Sequence, residues 1–436
     1  MYYKEYLSLE NKLKSGCING QDYKMSVRNL LNRIIVEIQE NNINGNVKAV
    51  KDIYNDVKNI NVPAEVKKRF DNIMLNELEI AERKVFLKSK MRILYCAVTS
   101  LCNVKCIMCQ IVKNKWELPE HAVDEIIAAM PYLENVVWQG GEVFLYKHFE
   151  RLMDEAGKYN VNQEIGTNGL LLNERIIKKL ITYNVDLGIS IDGLTKEVYE
   201  YIRAGADFDL LISNLRMLKK IKSDFSNQKT NWHLNVLVMK KNLNQIEYFP
   251  EFAKEHGFAK LCINSFGPDF DSKEENIFHY NKSREFELKI IDIKKKINRK
   301  CRDFGIELFD SLPDFETLNN NSDALRAKDE NNAKLSGNSH EIPKEALFCQ
   351  VPWRRIFIDS DGSIRPECFC DRKYSIGNIA SDRIEDVWNN EFMQRYRECI
   401  INGANHNLCK SDCLERRIPE KVLNYVVNPN LFWWDI

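Results

Sequence analysis

The sequence predicts an α/β fold in which a partial barrel of six strand–helix units follows a helical region and precedes a small cysteine-rich domain. Short apolar runs alternate with helical patterns from residue 92 to residue 300, whereas residues 1–88 show helical periodicity alone. Six of the 13 cysteines fall between residues 349 and 413. Strands that alternate with helices pair in parallel through right-handed crossovers, and six strands are fewer than the eight of a closed barrel. We therefore expect an open or partial barrel.

The composition is that of an ordinary globular chain of 436 residues, with 44% hydrophobic residues. The 63 lysines and arginines balance the 63 aspartates and glutamates, so no bulk positive field attracts nucleic acid or an anionic membrane. No apolar run reaches 18 residues, and the charged first residues do not resemble a secretory signal. We expect a cytoplasmic protein with neither a nucleic-acid nor a membrane partner. In that reducing compartment, cysteines are metal ligands or catalytic groups more often than disulfides.

The first 88 residues contain two apolar patterns at helical spacing. Their members are Leu30, Leu31, Ile34, Ile35 and Ile38, and then Val66, Phe70, Ile73, Met74 and Ala81. No cysteine–histidine or glycine-rich motif accompanies them. We interpret the region as a helical cap on the next domain, with a substrate-docking module as the alternative.

The central region contains six apolar runs that we predict to be strands. They are 92–98, 135–139, 163–167, 185–191, 232–238 and 260–264. Helical patterns follow near 119–130, 146–158, 173–183, 207–222, 243–256 and 274–300. The predicted domains are the helical region 1–88, the barrel 89–310, a polar linker 311–346, the cysteine-rich domain 347–418 and an aromatic tail 419–436. We expect that tail to pack on the body or to line a pocket.

Three cysteines follow the first predicted strand, with the spacing Cys102-x3-Cys106-x2-Cys109. Three thiolates on one loop can hold an iron–sulfur cube and leave its fourth iron without a protein ligand. Such an open position lets a small molecule bind the metal. A zinc ribbon fits this spacing poorly, because it needs paired two-spaced cysteines. Zinc or free thiols remain the alternative.

Each later strand also ends in a small polar motif. The motifs are Gly140-Gly141-Glu142, Thr167-Asn168-Gly169, Ser190-Ile191-Asp192-Gly193, Met239-Lys240-Lys241-Asn242 and Asn264-Ser265-Phe266-Gly267-Pro268, with Arg203 after the fourth. One such motif alone is more often a turn than a ligand site. Because the carboxyl ends of parallel strands share one edge, we expect these motifs to gather beside the three cysteines.

Together, the cysteine spacing and the ordered motifs resemble the radical S-adenosylmethionine (SAM) superfamily, over residues 90–300 and 347–417. The resemblance implies a [4Fe–4S] cluster on Cys102, Cys106 and Cys109 whose open iron chelates SAM. It also implies an electron donor such as flavodoxin or ferredoxin, reductive cleavage of SAM to a 5′-deoxyadenosyl radical, and abstraction of a substrate hydrogen atom. Met108 stands where the family often has an aromatic residue.

The resemblance also assigns residues that contact SAM. Gly140, Gly141 and Glu142 would lie near its amino group, and Ser190 and Asp192 near its ribose and methionine part. The remaining predicted cofactor-binding residues are Asn168, Arg203 as a partner for the carboxylate, and Asn242 near adenine.

The C-terminal cysteines form the second candidate metal site. Four thiolates from two separated pairs make a closed site, for which zinc is the structural alternative. The region resembles the SPASM or shorter twitch extension of radical SAM enzymes, which implies auxiliary [4Fe–4S] clusters. We predict one such cluster, held by Cys349, Cys368, Cys409 and Cys413, with Cys370 as the rival for Cys368. We expect the remaining cysteines to be ordinary buried or half-buried thiols: Cys17, Cys96, Cys262, Cys301 and Cys399.

The leading hypothesis is a radical SAM oxidoreductase that modifies a side chain of a peptide or protein. Oxidation or epimerisation of a carbohydrate or cyclitol is the alternative, favoured by the single auxiliary cluster. The absence of a strand-rich N-terminal pattern weakens the peptide hypothesis. A non-catalytic iron–sulfur or zinc scaffold is a distant third and predicts no cleavage of SAM. We expect Tyr146, His148, Trp433 and Trp434 to have packing roles.

Overall fold

The computed structural model describes the following residues: 1–62, 64–109, 115–225, 232–266, 274–281, 283–315, 349–367, 370 and 374–402. Most of the predicted linker, the aromatic tail with Trp433 and Trp434, and the candidate ligands Cys368, Cys409 and Cys413 lie outside these residues. Gly267 and Pro268 of the last strand-end motif also lie outside them.

The N-terminal region is helical, as predicted, and consists of four helices: α1 (Tyr2–Lys14), α2 (Gly20–Ile43), α3 (Val47–Val57) and α4 (Ala64–Ala81). Asparagines begin two of them, because the side chains of Asn19 and Asn46 accept hydrogen bonds from backbone N–H groups in the first turn. The apolar faces pack together into a core of their own, separate from that of the sheet.

Six parallel strands form the centre of the sheet, and each end lies within one residue of its prediction. They are β1 (Ile93–Thr99), β3 (Asn135–Gly140), β4 (Asn162–Thr167), β5 (Asp186–Ser190), β7 (His233–Leu237) and β8 (Lys260–Asn264). A separate short ladder pairs β2 (Lys105–Cys106) with β6 (Arg203–Ala204). The six parallel strands lie side by side in the main sheet in the order in which they follow one another along the chain. Right-handed crossovers therefore place the connecting helices on one face.

The connecting helices cover this outer face of the sheet. They are α5 (Glu120–Ala129), α6 (Phe149–Lys158), α7 (Glu174–Thr182), α8 (Lys196–Ile202), α9 (Phe208–Asp224), α10 (Phe249–His256), α11 (Ile277–Tyr280) and α12 (Arg284–Phe304). Short 3₁₀ turns occupy Met130–Tyr132, Val143–Leu145 and Leu243–Tyr248. We call the opposite side of the sheet the inner face. Among its residues are Glu164, Gly166, Gly188, His233 and Asn235.

The sheet extends beyond the six predicted strands at both edges. At one edge β9 (Glu307–Asp310) pairs in parallel with β8. At the other edge β10 (Arg355–Ile358) pairs in parallel with β1 and is followed by two antiparallel strands, β11 (Ser363–Arg365) and β12 (Gly377–Asn378). The cysteine-rich region therefore continues the barrel sheet, and the predicted domain limits stay predictions.

Three short helices flank this added edge: α13 (Val351–Arg354), α14 (Ile384–Trp388) and α15 (Glu391–Ile401). The last two of these are separate helices. The chain leaves helical geometry at Asn389, and Asn390 starts a new helix because its side chain accepts a hydrogen bond from the N–H of Met393.

A buried ion network joins the N-terminal helices to both edges of β1. Glu77 of α4 pairs with Arg92, which precedes β1, and lies 2.8 Å from Arg354 before β10. Arg92 also pairs with Glu134, which precedes β3. All four side chains are at most 6% exposed. The helical region is thus held at the amino ends of the strands. No helix in the described part of the chain is long and apolar enough to cross a bilayer.

Candidate active site

The cysteine loop is held at the carboxyl end of the sheet from two sides. On one side the N–H groups of Gly141 and Glu142 donate to the carbonyls of Thr99 and Leu101, both at 2.7 Å. On the other side β2 pairs with β6, which brings Cys106 opposite Arg203, and the N–H of Ile107 donates to Ile202. The loop therefore has a defined position between the end of β3 and the segment after α8.

The thiols on this loop are free and differ in exposure. Cys102 and Cys106 are half-buried, whereas Cys109 is exposed. Burial raises the pKa of the Cys106 thiol to about 11 although the charge of Arg203 opposes the shift, and burial also raises that of Cys102.

The surroundings of these sulfur atoms fit an iron–sulfur cluster better than a single metal ion. The side-chain amide of Asn168 lies 3.9 Å from Cys102 Sγ, and Arg203 Nη1 lies 3.7 Å from Cys106 Sγ. Such donors favour thiolates. Within the described ranges, no three histidine, cysteine, aspartate or glutamate side chains converge on a point that suits one ion. Three thiols with facing N–H donors match the ligand chemistry of a cluster with an open iron.

Gly140 and Gly141 are required by the approach of the cysteine loop. Gly140 has a positive φ of 128°, and a Cβ there would lie 2.2 Å from the Thr99 carbonyl oxygen. A Cβ on Gly141 would lie 2.0 Å from the Leu101 carbonyl oxygen. Both distances are far below contact, so only glycine fits. The sequence predicted close approach to a ligand, and the structure shows close approach of the cysteine-bearing backbone.

Glu142 lies beneath the turn that ends β4. Its carboxylate accepts hydrogen bonds from Thr167 Oγ1 at 2.8 Å and from the N–H of Asn168 at 2.9 Å. Burial raises the pKa of Glu142 even though both hydrogen bonds favour the charged form. The carboxylate therefore fixes the position of Asn168, whose side-chain amide donates to Asn103 Oδ1 at 2.7 Å. Asn103 was missed from the sequence, although it directly follows Cys102.

Asp192, Arg203 and Asn242 form a second, mutually bonded group. Asp192 Oδ2 pairs with Arg203 Nη2 at 2.7 Å. Burial alone would lower the pKa of Arg203, but the charges of Asp192 and Cys106 outweigh burial, so the pKa is raised. Asn242 uses both amide hydrogens on the carbonyls of Asp192 and Leu237, and its oxygen accepts from the N–H of Met239. Asn242 therefore holds the ends of β5 and β7 together, and its predicted contact with a cofactor stays a prediction.

The structure brings the predicted cofactor-binding residues to one edge of the sheet. The side chain of Ser190 ends β5 on the inner face and is half-buried. Met108, Ile202 and Met239 form a small buried apolar cluster against Cys106. Ile202 was missed from the sequence because a single apolar residue carries no local signal of a site, whereas Met239 belongs to a predicted strand-end motif. Tyr146 is buried and donates to the Leu118 carbonyl, as expected for packing.

The second cysteine group is described only in part. Cys349 and Cys370 are both buried, and Cys370 Sγ lies 3.9 Å from the Tyr396 hydroxyl. The other candidate ligands lie outside the described residues, so the choice between Cys368 and Cys370 stays a prediction. Of the cysteines expected to be ordinary thiols, four are buried or half-buried, but Cys17 is exposed and the prediction is wrong for it.

Comparison with protein families finds two matches in this chain. A model described as the radical SAM superfamily matches residues 97–274. A model named SPASM, described as an iron–sulfur cluster-binding domain, matches residues 349–414.

Curated relatives are distant but cover much of the chain. The chain is 21% identical to the antilisterial bacteriocin subtilosin biosynthesis protein AlbA of Bacillus subtilis, over 72% of its own length and 63% of AlbA. It is 26% identical to the cysteine-type anaerobic sulfatase-maturating enzyme of Clostridium novyi, over 77% of its own length and 90% of that enzyme. It is 28% identical to the mycofactocin maturase MftC of Mycobacterium tuberculosis, over 39% of its own length and 44% of MftC. The chain thus spans less than two thirds of AlbA and of MftC.

Solved structures show a similar fold. Streptococcus suis SuiB has a TM-score of 0.54 and 15% identity, with 80% of this chain and 77% of SuiB covered. SuiB bound to precursor peptide SuiA has a TM-score of 0.53. At this identity the likeness concerns the fold alone.

Proposed function

The chain belongs to the radical SAM superfamily and carries a C-terminal SPASM domain, and from this premise we propose that it modifies a side chain of a peptide or protein. It is an enzyme whose cofactors are SAM, the [4Fe–4S] cluster that binds SAM, and auxiliary iron–sulfur chemistry in the SPASM domain. When bound, the cluster and SAM supply the 5′-deoxyadenosyl radical that abstracts a substrate hydrogen atom. The identity of that hydrogen atom is the open question.

The observation that carries the proposal is the cysteine loop between two bonded groups of polar side chains. Cys102, Cys106 and Cys109 would hold the cluster and leave one iron open. Arg203 Nε is buried and has no hydrogen-bond partner among the described residues. A buried donor without a partner is costly, and a carboxylate of bound SAM would satisfy it.

The other residues act by positioning. Glu142 orients Asn168, and Asn168 turns its amide toward Cys102 and Asn103. Asp192 holds Arg203 beside Cys106. Burial around this edge excludes water from the side of the loop that faces the sheet, which strengthens each of these polar interactions.

A peptide or protein substrate is supported by what the relatives are named for. They include a bacteriocin biosynthesis protein, a sulfatase-maturating enzyme and a mycofactocin maturase. We also propose a protein electron donor such as flavodoxin or ferredoxin. A reducing, cytoplasmic location is proposed because free thiols and clusters persist there. No described contact favours the carbohydrate alternative.

The test combines metal content with SAM cleavage after anaerobic reconstitution. We expect about eight irons per chain, falling to about four in a Cys102/Cys106/Cys109→Ala variant, for one radical and one auxiliary cluster. Formation of 5′-deoxyadenosine with dithionite should be lost in that variant only. Cys17→Ala is the matched control, because this exposed thiol belongs to neither cysteine group.

The substrate is tested with a precursor peptide encoded beside the enzyme. A mass change in the peptide that depends on SAM supports the proposal. About four irons per chain in wild type, with zinc bound in the SPASM domain, would contradict the auxiliary iron–sulfur cluster. Turnover of a sugar nucleotide without any change in the peptide would contradict the peptide substrate.

A further inference from the structure

Glu164 lies on the inner face of β4, below the cofactor edge. The outer face is identified by Gln163, whose amide donates to the Met153 carbonyl of α6 and whose oxygen accepts from Trp138 Nε1, both at 3.0 Å. Side chains alternate along a strand. Glu164 and Gly166 therefore point away from the helices, toward the side where Ser190 lies.

One glycine leaves room beside this carboxylate, and side chains cover the glycine next to it across the sheet. A Cβ on Gly166 would meet no atom within 4 Å. Its neighbour across the sheet is Gly188, and the next is His233. His233 Nε2 and Asn235 Nδ2 lie 2.5 and 2.6 Å from the point that a Cβ at residue 188 would occupy. We call the space bounded by Glu164, Gly166, Gly188, His233 and Asn235 the inner-face hollow.

Among the described residues, the Glu164 carboxylate takes part in no ion pair. Within the described ranges, no residue donates a hydrogen bond to Glu164. Burial raises the pKa of Glu164, and the positive charge of Lys260 opposes this shift. Lys260 Nζ instead lies 3.5 Å from Glu307 on the edge strand. A sheltered carboxyl group without a partner is unfavourable unless a ligand supplies one.

We propose that Glu164 is a specificity-determining residue that binds a positively charged group, an ammonium or guanidinium, on the part of the substrate that enters the inner-face hollow. This inference deepens the proposed function and rests on it. His233 and Asn235 border the same space.

The sheet register indicates a long cationic side chain. Glu164 of β4 pairs in register with Asp186 of β5. Ser190 lies four positions after Asp186 on β5. Four residues of a strand span about 13 Å, at about 3.3 Å per residue. The Glu164 side chain and an extended lysine or arginine side chain together bridge that distance. The substrate backbone would then lie near Ser190, where the cofactor residues gather.

The test measures binding of small probes to the full-length reconstituted enzyme by saturation-transfer NMR. The probes are n-butylammonium and pentanoate, which are similar in length and opposite in charge. We expect wild type to bind n-butylammonium more tightly than pentanoate, and Glu164→Lys to bind pentanoate more tightly. In Glu164→Gln the ratio of the two affinities should fall about tenfold. Gly166→Leu keeps the carboxylate but fills the hollow, and it should also lose binding. Glu391→Gln removes an exposed carboxylate on α15 and should bind as wild type does.

Each outcome decides the inference. Equal binding of n-butylammonium by wild type and Glu164→Gln overturns it, as does a wild-type preference for pentanoate. Folding of the variants is checked by iron content. If Glu164→Lys does not fold, Gly166→Leu is used in its place. Formation of 5′-deoxyadenosine is measured on the same samples. If no 5′-deoxyadenosine forms but binding of n-butylammonium still depends on Glu164, the proposed function is contradicted and the cation site is supported.

Discussion

The two ends of the sheet use the same residue types for opposite purposes. At the amino end, Glu77, Arg92, Glu134 and Arg354 form one buried network in which each charge faces an opposite charge. At the carboxyl end, the buried carboxylate of Glu142 accepts hydrogen bonds from two neutral donors, Thr167 Oγ1 and the N–H of Asn168. Arg203 Nε and the cysteine thiols retain unused bonding capacity.

This difference separates structure from function within one fold. At the amino end both carboxylates of the network are already paired with arginine side chains. Groups held in place by partial bonding can accept further partners, which agrees with the proposal that the cofactor binds at the carboxyl end. The contacts of the helical region follow the same division. Arg69 donates to the carbonyls of Tyr159 and Asn160, and Asn72 to that of Lys90, all near strand starts. These contacts favour the interpretation of the helical region as a cap rather than as a substrate-docking module.

Gly141→Ala should break the carboxyl end most severely. A Cβ at this position meets the Leu101 carbonyl oxygen at 2.0 Å, so the cysteine loop must move. We expect loss of about four irons and of 5′-deoxyadenosine formation. Gly20→Ala is the matched control, because a Cβ there meets no atom within 4 Å. Normal iron content in Gly141→Ala would show that the loop is not set by this contact.

Glu77→Ala should break the amino end through stability. The substitution leaves Arg92 and Arg354 buried without their shared carboxylate, and removal of one partner of a buried pair costs about 3–5 kcal/mol. The measurement is the free energy of unfolding in urea. Glu391→Ala, which removes an exposed carboxylate, should leave it unchanged. A loss of less than about 1 kcal/mol in Glu77→Ala would mean that the network contributes little.

Asp192→Asn should lower activity with little effect on folding. The shape is kept, and the oxygen that accepts from the N–H of Leu237 remains, but Arg203 loses its charged partner. We expect the rate of 5′-deoxyadenosine formation to fall about 10- to 100-fold, as for other residues that orient ligands of a metal site. Thermal unfolding serves as the control measurement. An unchanged rate would argue that Arg203 is held by the surrounding packing.

The smallest expected effect is the dependence of stability on acid. Burial alone would raise the pKa of Glu77, but Arg354 and Arg92 hold it below its ordinary value of 4.5. A group with a depressed pKa stabilises the fold above its unfolded pKa, and this contribution is lost as the pH falls through the folded pKa. The gap in unfolding free energy between wild type and Glu77→Gln should therefore be constant above about pH 5 and narrow below about pH 4. A gap that does not change with pH would contradict the assignment.

Local patterns predicted the frame of the molecule. The apolar alternation that located β1, β3, β4, β5, β7 and β8 is a property of each segment, because side chains point to opposite faces along a strand. The helical character of the N-terminal region follows in the same way from the apolar spacing within α2 and α4. The cysteine spacing indicated a cluster loop because three ligands of one metal group lie within eight residues.

The sequence by itself thus determined the parallel α/β core, the helical region, the cysteine loop and the edge where the polar motifs meet. Only the tertiary structure decided that β10 extends the sheet beside β1, that Glu77 bonds to Arg354 across 277 positions, and that Asn242 holds two strand ends. Contacts between distant segments depend on how whole elements pack and leave no periodic trace in either segment. The amphipathic period of a strand or helix is local, and therefore visible in the chain before it folds.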